Sequence, residues 1–148
     1  MPKTVRKLPQ KPRLEQPKKV AAYARVSTGK DAMLHSLASQ VSYYSKLIQS
    51  HEGWLYVGVY SDEALTGTKD SRDGFQRLLA DCRAGKVNMI LTKSISRFAR
   101  NTVTLLETVR ELKSLEVDIF FEEQNIHTMS SEGELMLTIL ASYAQEES

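Results

Sequence analysis

A chain of 148 residues with 41% hydrophobic content is sized for one domain with a substantial core. Its single cysteine, Cys82, excludes an intramolecular disulfide and a cysteine-pair zinc site, and no apolar run reaches the roughly 20 residues that span a membrane. The net charge of +2 hides an asymmetry: residues 1–19 carry seven Lys/Arg against Glu15 alone, a net of +6, so the remainder sums to −4. A broadly basic nucleic-acid surface is thus excluded, and contact with a polyanion has to run through a local arginine cluster. The basic N-terminus lacks the apolar stretch of a secretory signal, so a cytoplasmic setting is expected.

Residues 1–18 hold all four prolines and few large apolar groups. This composition predicts a flexible tail that either solubilises the chain or adds contacts to DNA phosphates. From Lys19 onward strand and helix patterns alternate. The apolar run V-A-A-Y-A-R-V-S predicts a strand over 20–27. Leu34, Leu37, Val41, Tyr44 and Ile48 recur at helical spacing over 34–51. A strand follows over 54–61. A helix over 73–84 is expected to bury Phe75, Leu78, Leu79 and Cys82 and to end at Gly85. A strand over 88–93, a helix over 101–115 resting on Leu105, Val109 and Leu112, and a strand over 117–122 complete the pattern. The fold class that follows is α/β, with a largely parallel central sheet and helices on both faces.

The last segment, 131–148, departs from that rhythm. Ser131 and Glu134 read as a capping box. Beyond them Leu135, Met136, Leu137, Ile139, Leu140 and Tyr143 spread around most of a helix. One sheet face cannot cover them all, so a second copy of the chain is expected against this helix, with Leu137 and Ile139 in the interface. The helix runs into Glu146 and Glu147 without a glycine cap, and acidic groups oppose the dipole at a helix C-terminus. The expectation is that the helix continues in a longer protein.

Open parallel sheets bind ligands at the carboxyl ends of their strands. There this sequence places Arg25 and Ser27, then Asp62 and Glu63, then Lys93 and the loop S-I-S-R-F-A-R-N, with Arg72 in the connection after the second strand. Arg97 and Arg100 are three apart and share a face if they lie on one helical turn. Four arginines, one serine and one or two carboxylates could therefore converge on one pocket suited to a phosphate. Each residue also has an ordinary reading. Ser27 before Thr28-Gly29 fits a turn or cap, Arg97 and Arg100 a solvated helix face, Arg72 a surface pair with Asp70 or Asp73, and Asp62 the start of a turn. Met129, Met136, Trp54 and the tyrosines of the first helix read as core or interface packing. His35, His51 and His127 have no ligand spacing. With no G-x-G-x-x-G and no P-loop, a dinucleotide or nucleoside triphosphate is not supported, and neither cofactor nor metal is expected.

Five separated motifs then stand in order: Y-A-R-V-S-T (Tyr23–Thr28) with S-L-x-x-Q (Ser36–Gln40), D-E-A-L-T-G-T (Asp62–Thr68), R-D-G-F (Arg72–Phe75), T-K-S-I-S-R-F-A-R-N (Thr92–Asn101), and G-E-L-M-L-T-I-L-A-S-Y-A-Q-E-E-S (Gly133–Ser148). Together they resemble the catalytic domain of serine site-specific recombinases, most of all the large serine recombinases of mobile elements and phages, over residues 19–148. The resemblance implies a catalytic domain over 19–130, the start of a long interface helix over 131–148, and downstream DNA-reading regions that this chain lacks. It implies that Ser27 attacks a DNA phosphodiester and becomes a 5′-phosphoserine, and that Arg25, Arg72, Arg97 and Arg100 surround the scissile phosphate. Gln40 and Asp62 match supporting polar positions, and Tyr23 and Lys93 stand beside these motifs. Smaller family members carry an aspartate before the first arginine of S-R-F-A-R, where this chain has Ser96. That leaves Asp62 as the carboxylate to handle a proton or orient an arginine. The implied partners are double-stranded DNA and further copies of the chain, dimers pairing into a tetramer, with no membrane and no small-molecule substrate. Two other readings stay open on the residues alone: an anion-binding regulatory module, and an inert assembly domain acting through 131–148.

Overall fold

The computed structural model describes residues 16–27, 36–64, 72–99 and 101–147. The expected tail therefore lies largely outside the described residues. Strand β1 (Lys18–Ser27) is flanked on one side by β2 (Trp54–Ala64) and on the other by β3 (Met89–Thr92), then β4 (Asp118–Phe121) and β5 (Ile126–His127), giving the order β2-β1-β3-β4-β5. The first four strands are parallel, and β5 runs antiparallel to β4. Val20, Ala21, Ala22, Tyr23 and Ala24 are all buried, which is why β1 reads as a continuous apolar run: a central parallel strand is covered on both faces.

The two faces separate by strand alternation. Ala21, Tyr23, Ile90, Ile119 and Phe121 meet Phe75, Leu78, Leu79 and Cys82 of α2 (Asp73–Arg83), Leu105, Leu106, Val109 and Leu112 of α4 (Thr102–Ser114), and Met136 and Leu137 of α5 (Ser131–Glu147). Val20, Ala22, Met89 and Leu91 meet Tyr44 and Ile48 of α1 (Leu37–Gln49). Helices thus cover both faces, as the sequence predicts. Between β3 and α4 lies α3 (Ile95–Phe98), a single turn whose Phe98 is wholly buried. The Phe98 ring meets Phe75, Phe121 and Tyr23 edge-on at 5.1, 5.7 and 6.2 Å.

Three local expectations are corrected, and one strand is added. Helix α1 begins at Leu37, because the Ser36 hydroxyl accepts from Ser39 N–H and caps it there; Leu34 lies outside the described residues. The cap of α5 is Ser130 rather than Ser131: its Oγ accepts from Gly133 N–H at 3.1 Å. Gly133 belongs in that position because a Cβ there would strike the carbonyl oxygens of His127 and Thr128. Leu137 is buried against its own core, whereas Leu135 and Ile139 are exposed, so the surplus apolar face of α5 is carried by the latter pair. The two-residue β5 is too short to leave a period in sequence. Among the described residues no helix is long and apolar enough to cross a membrane.

Candidate active site

All four parallel strands end at the same edge of the sheet. There the ends of β1 and β3, the first turns of α1, the α3 turn and the chain after β4 enclose a cavity of about 400 Å³. Arg25, Gln40, Lys93 and Arg97 line it, with Tyr23, Tyr43, Tyr44, Glu122 and Glu123. Three cationic side chains, one from β1 and two from the segment that runs from β3 into α3, thus share one opening. The backbone of Ser27 ends β1 two residues past Arg25, in register with Ala64. A second, shallower cavity of about 590 Å³ continues from Arg25 along Ser94, Ser96, Asn101 and Thr102 to Leu140 of α5.

Arg97 points back to the sheet. Its Nη1 donates to the carbonyl oxygen of Arg25 at 2.9 Å, tying the α3 turn to the end of β1. The turn itself is capped by Ser94, whose Oγ accepts from Arg97 N–H and lies 3.1 Å from Ser96 Oγ. Helix α3 ends at Phe98, where Ala99 turns to extended backbone. Arg100, expected to share a helical turn with Arg97, lies outside the described residues.

Asp62 is nearly buried, and its carboxylate is occupied. Oδ1 accepts from Gly74 N–H at 2.7 Å, and Oδ2 accepts from Phe75 N–H at 2.9 Å and from the Tyr23 hydroxyl at 2.7 Å. It therefore serves as the N-terminal cap of α2 from a neighbouring strand, a position where negative charge also complements the helix dipole. The R-D-G-F motif gains a physical reason here. A Cβ on Gly74 would strike the Ser61 carbonyl, so only glycine lets the helix end approach β2 closely enough to reach Asp62.

Arg72 stands behind Tyr23 rather than in the cavity wall. Its Nη2 donates to the Phe98 carbonyl at 2.6 Å and to the Tyr23 hydroxyl at 3.3 Å, and its guanidinium carbon lies 3.8 Å from the centre of the Phe75 ring. Burial pushes the Tyr23 phenol up to about 12; the Arg72 hydrogen bond opposes the shift and the Asp62 bond adds to it. The phenol therefore stays protonated and donates to Asp62 while accepting from Arg72. Asp62, Tyr23 and Arg72 thus form one hydrogen-bonded chain.

The family model of the resolvase N-terminal domain matches residues 20–148, nearly the whole chain. The chain belongs to the resolvase N-terminal domain family. A resolvase/recombinase of Pseudomonas putida is 29% identical over 125 residues, covering 84% of this chain and 62% of that protein. The Tn3 transposon resolvase of Escherichia coli is 29% identical over 89 residues, covering 60% of this chain and 46% of the resolvase. The chain thus spans about half to three-fifths of the length of these curated relatives. Among solved structures, the N-terminal catalytic domain of TP901-1 integrase superposes with a TM-score of 0.70 at 30% identity, over 88% of this chain and 96% of that one. A resolvase-family site-specific recombinase from Streptococcus pneumoniae superposes with a TM-score of 0.69 at 30% identity, over 88% and 87% of the two chains.

In this resolvase-type domain the structure brings Tyr23, Arg25, Gln40, Lys93 and Arg97 to one cavity, and the Tyr23 hydroxyl bonds Asp62 and Arg72. The residues that sequence reasoning missed are Glu122 and the two tyrosines of α1. The Tyr43 hydroxyl donates to Glu122 Oε2 at 2.8 Å and the Tyr44 hydroxyl to Oε1 at 2.7 Å. Tyr44 packs in the core as expected, but its hydroxyl and that of Tyr43 reach into the cavity wall. The missed signal was the polar end of an aromatic pair on the helix that carries Gln40. The histidines follow the structural reading where described: His51 stacks on Trp54, and His127 Nδ1 lies 2.6 Å from Asp118 Oδ2.

Proposed function

We propose that the chain is the catalytic domain of a site-specific DNA recombinase in which Ser27 is the nucleophile. The observation that carries this reading is the convergence of Arg25, Lys93 and Arg97 on one cavity beside the strand that ends on Ser27. A phosphodiester is anionic and repels an anionic attacker. Guanidinium groups held in place neutralise its non-bridging oxygens and strengthen their hold as charge builds in the transition state. In phosphoryl transfer generally a single arginine contributes on the order of 10³–10⁵ in rate.

The serine oxygen forms a bond to phosphorus as the bond to the 3′ oxygen breaks, leaving a 5′-phosphoserine and a free 3′-hydroxyl. Rejoining reverses these steps from a new 3′-hydroxyl. The ester conserves the energy of the broken bond, so resealing consumes no nucleotide, and the arginines supply the charge that the reaction needs without a metal. Double-stranded DNA is the substrate. Copies of the chain pair through α5 and assemble for strand exchange, with sequence-reading regions supplied by a longer protein.

The test is covalent trapping with the parent protein and the ends of its own element. Wild-type protein should yield a DNA adduct joined through Ser27. Ser27→Ala should still bind the same DNA and yield none; an adduct with the alanine protein removes Ser27 from this role.

A further inference from the structure

We propose that Glu122 is a positioning residue that, with Tyr43 and Tyr44, locks α1 against the carboxyl end of β4 and sets Gln40 at the mouth of the cavity. Its use in catalysis rests on reading that cavity as a phosphodiester site; the clamp itself is a matter of geometry.

Glu122 has a rigid base. Its N–H donates to the Thr92 carbonyl at 2.9 Å, and Glu123 N–H donates to the Lys93 carbonyl at 2.8 Å, so two backbone bonds beyond the ladder tie the chain after β4 to the end of β3. Its carboxylate faces a cavity with three cations in the wall, yet each oxygen accepts from a phenol. Burial, and then the bond to Glu122, push the Tyr44 phenol above its ordinary value, so it remains a donor at every physiological pH.

Adjacent residues of a helix diverge by about 100° around its axis. Two phenols that diverge in this way and still meet one carboxylate fix the rotation of α1 as well as its distance from the sheet. Gln40 lies three and four residues before these tyrosines, one turn along the same stripe. The turn of α1 nearest the cavity, Leu37 to Ser39, is exposed, and Tyr44 and Ile48 are the buried anchors of the helix. Rotation of α1 would therefore move Gln40 first.

The test uses the 148-residue chain itself, with inorganic phosphate as the probe and NMR as the readout. In a Tyr43→Phe/Tyr44→Phe variant, amide exchange at Gln40 and Val41 should accelerate about tenfold or more while β1 and β3 keep their protection. Phosphate should then perturb the Arg97 side chain with weaker apparent affinity. Glu122→Ala should match that variant in amide exchange. Glu122→Gln, whose amide can accept from one phenol and donate to the other, should restore exchange toward wild type and bind phosphate more tightly for want of one negative charge. Wild-type exchange at Gln40 and Val41 in a folded double variant, or in Glu122→Ala, overturns the inference. If β1 and β3 also lose protection, the single Tyr43→Phe change at an exposed ring decides: unchanged exchange at Gln40 overturns the clamp, and acceleration confined to α1 supports it. If phosphate leaves Arg97 of the wild-type chain unperturbed, the phosphodiester reading fails, while the exchange comparison still judges the clamp.

Discussion

Asp62 shows how one side chain can serve the frame and the site together. Its two oxygens satisfy two N–H groups at the start of α2 and the Tyr23 hydroxyl. Asp62→Ala strands all three donors in a buried place, and unfolding by urea should show a loss of about 3 kcal/mol. A loss under about 1 kcal/mol would mean that water replaces the carboxylate. Tyr23 adds a pH dependence. Its folded-state value is raised from 10.0 to about 12, so above pH 10 the unfolded chain releases this proton and the folded chain keeps it. Stability is intact below pH 10 and falls as pH rises toward 12, by at most about 1.4 kcal/mol per pH unit for this one group. Tyr23→Phe should flatten that alkaline limb in denaturation curves taken between pH 9 and 12; an unchanged slope would assign the limb to other groups. The importance of Asp62 was legible in sequence from its place at a strand end. Its partners were not, because the backbone donors it caps lie twelve and thirteen residues further on.

At the scale of elements, α5 is held on one side and open on the other. Met136 and Leu137 are buried on the sheet side, and Lys113 of α4 forms an ion pair with Glu134. Leu135 is 62% exposed and Ile139 49%. The two faces should respond differently to substitution. Leu137→Ala opens a cavity in the core and should cost about 2–4 kcal/mol in unfolding free energy. Ile139→Asp should leave the monomer's stability within about 0.5 kcal/mol and shift sedimentation toward smaller species. Unaltered sedimentation would count against α5 as the pairing surface. Gly74→Ala forces α2 away from β2 and should destabilise by about 1–3 kcal/mol in the same unfolding assay. The apolar excess of α5 was readable from composition. Which of its faces turns inward was not, since that depends on where α4 and β5 leave room.

The chain carries a net charge of only +2, and Arg25, Lys93 and Arg97 line one cavity at the carboxyl edge of the sheet. Binding of the chain to duplex DNA of arbitrary sequence should therefore be weak and fall steeply with salt. If Arg97 engages a phosphate, Arg97→Ala should lower the slope of log K against log [salt] by about one and weaken binding alike for all sequences. A gel-shift series over salt concentration measures both. Tight, sequence-selective binding by this chain alone would contradict the placement of DNA reading in other regions.

The amino-acid sequence by itself determined the alternation of strands and helices, the parallel sheet, the sheet-facing residues of α2 and α4, and the motifs from Tyr23 to Asn101 that mark the family. These are local properties: apolar period, cap and glycine positions, and ordered short patterns all act within one or two elements. Only the tertiary structure decided that Arg25, Lys93 and Arg97 share one cavity, that Arg72 stands behind Tyr23, that Asp62 caps a helix, and that Glu122 receives two phenols from α1. Those groupings join residues of different elements. They exist because parallel strands deliver their carboxyl ends to one edge, and the register of each strand and the rotation of each helix is set by packing across the whole core.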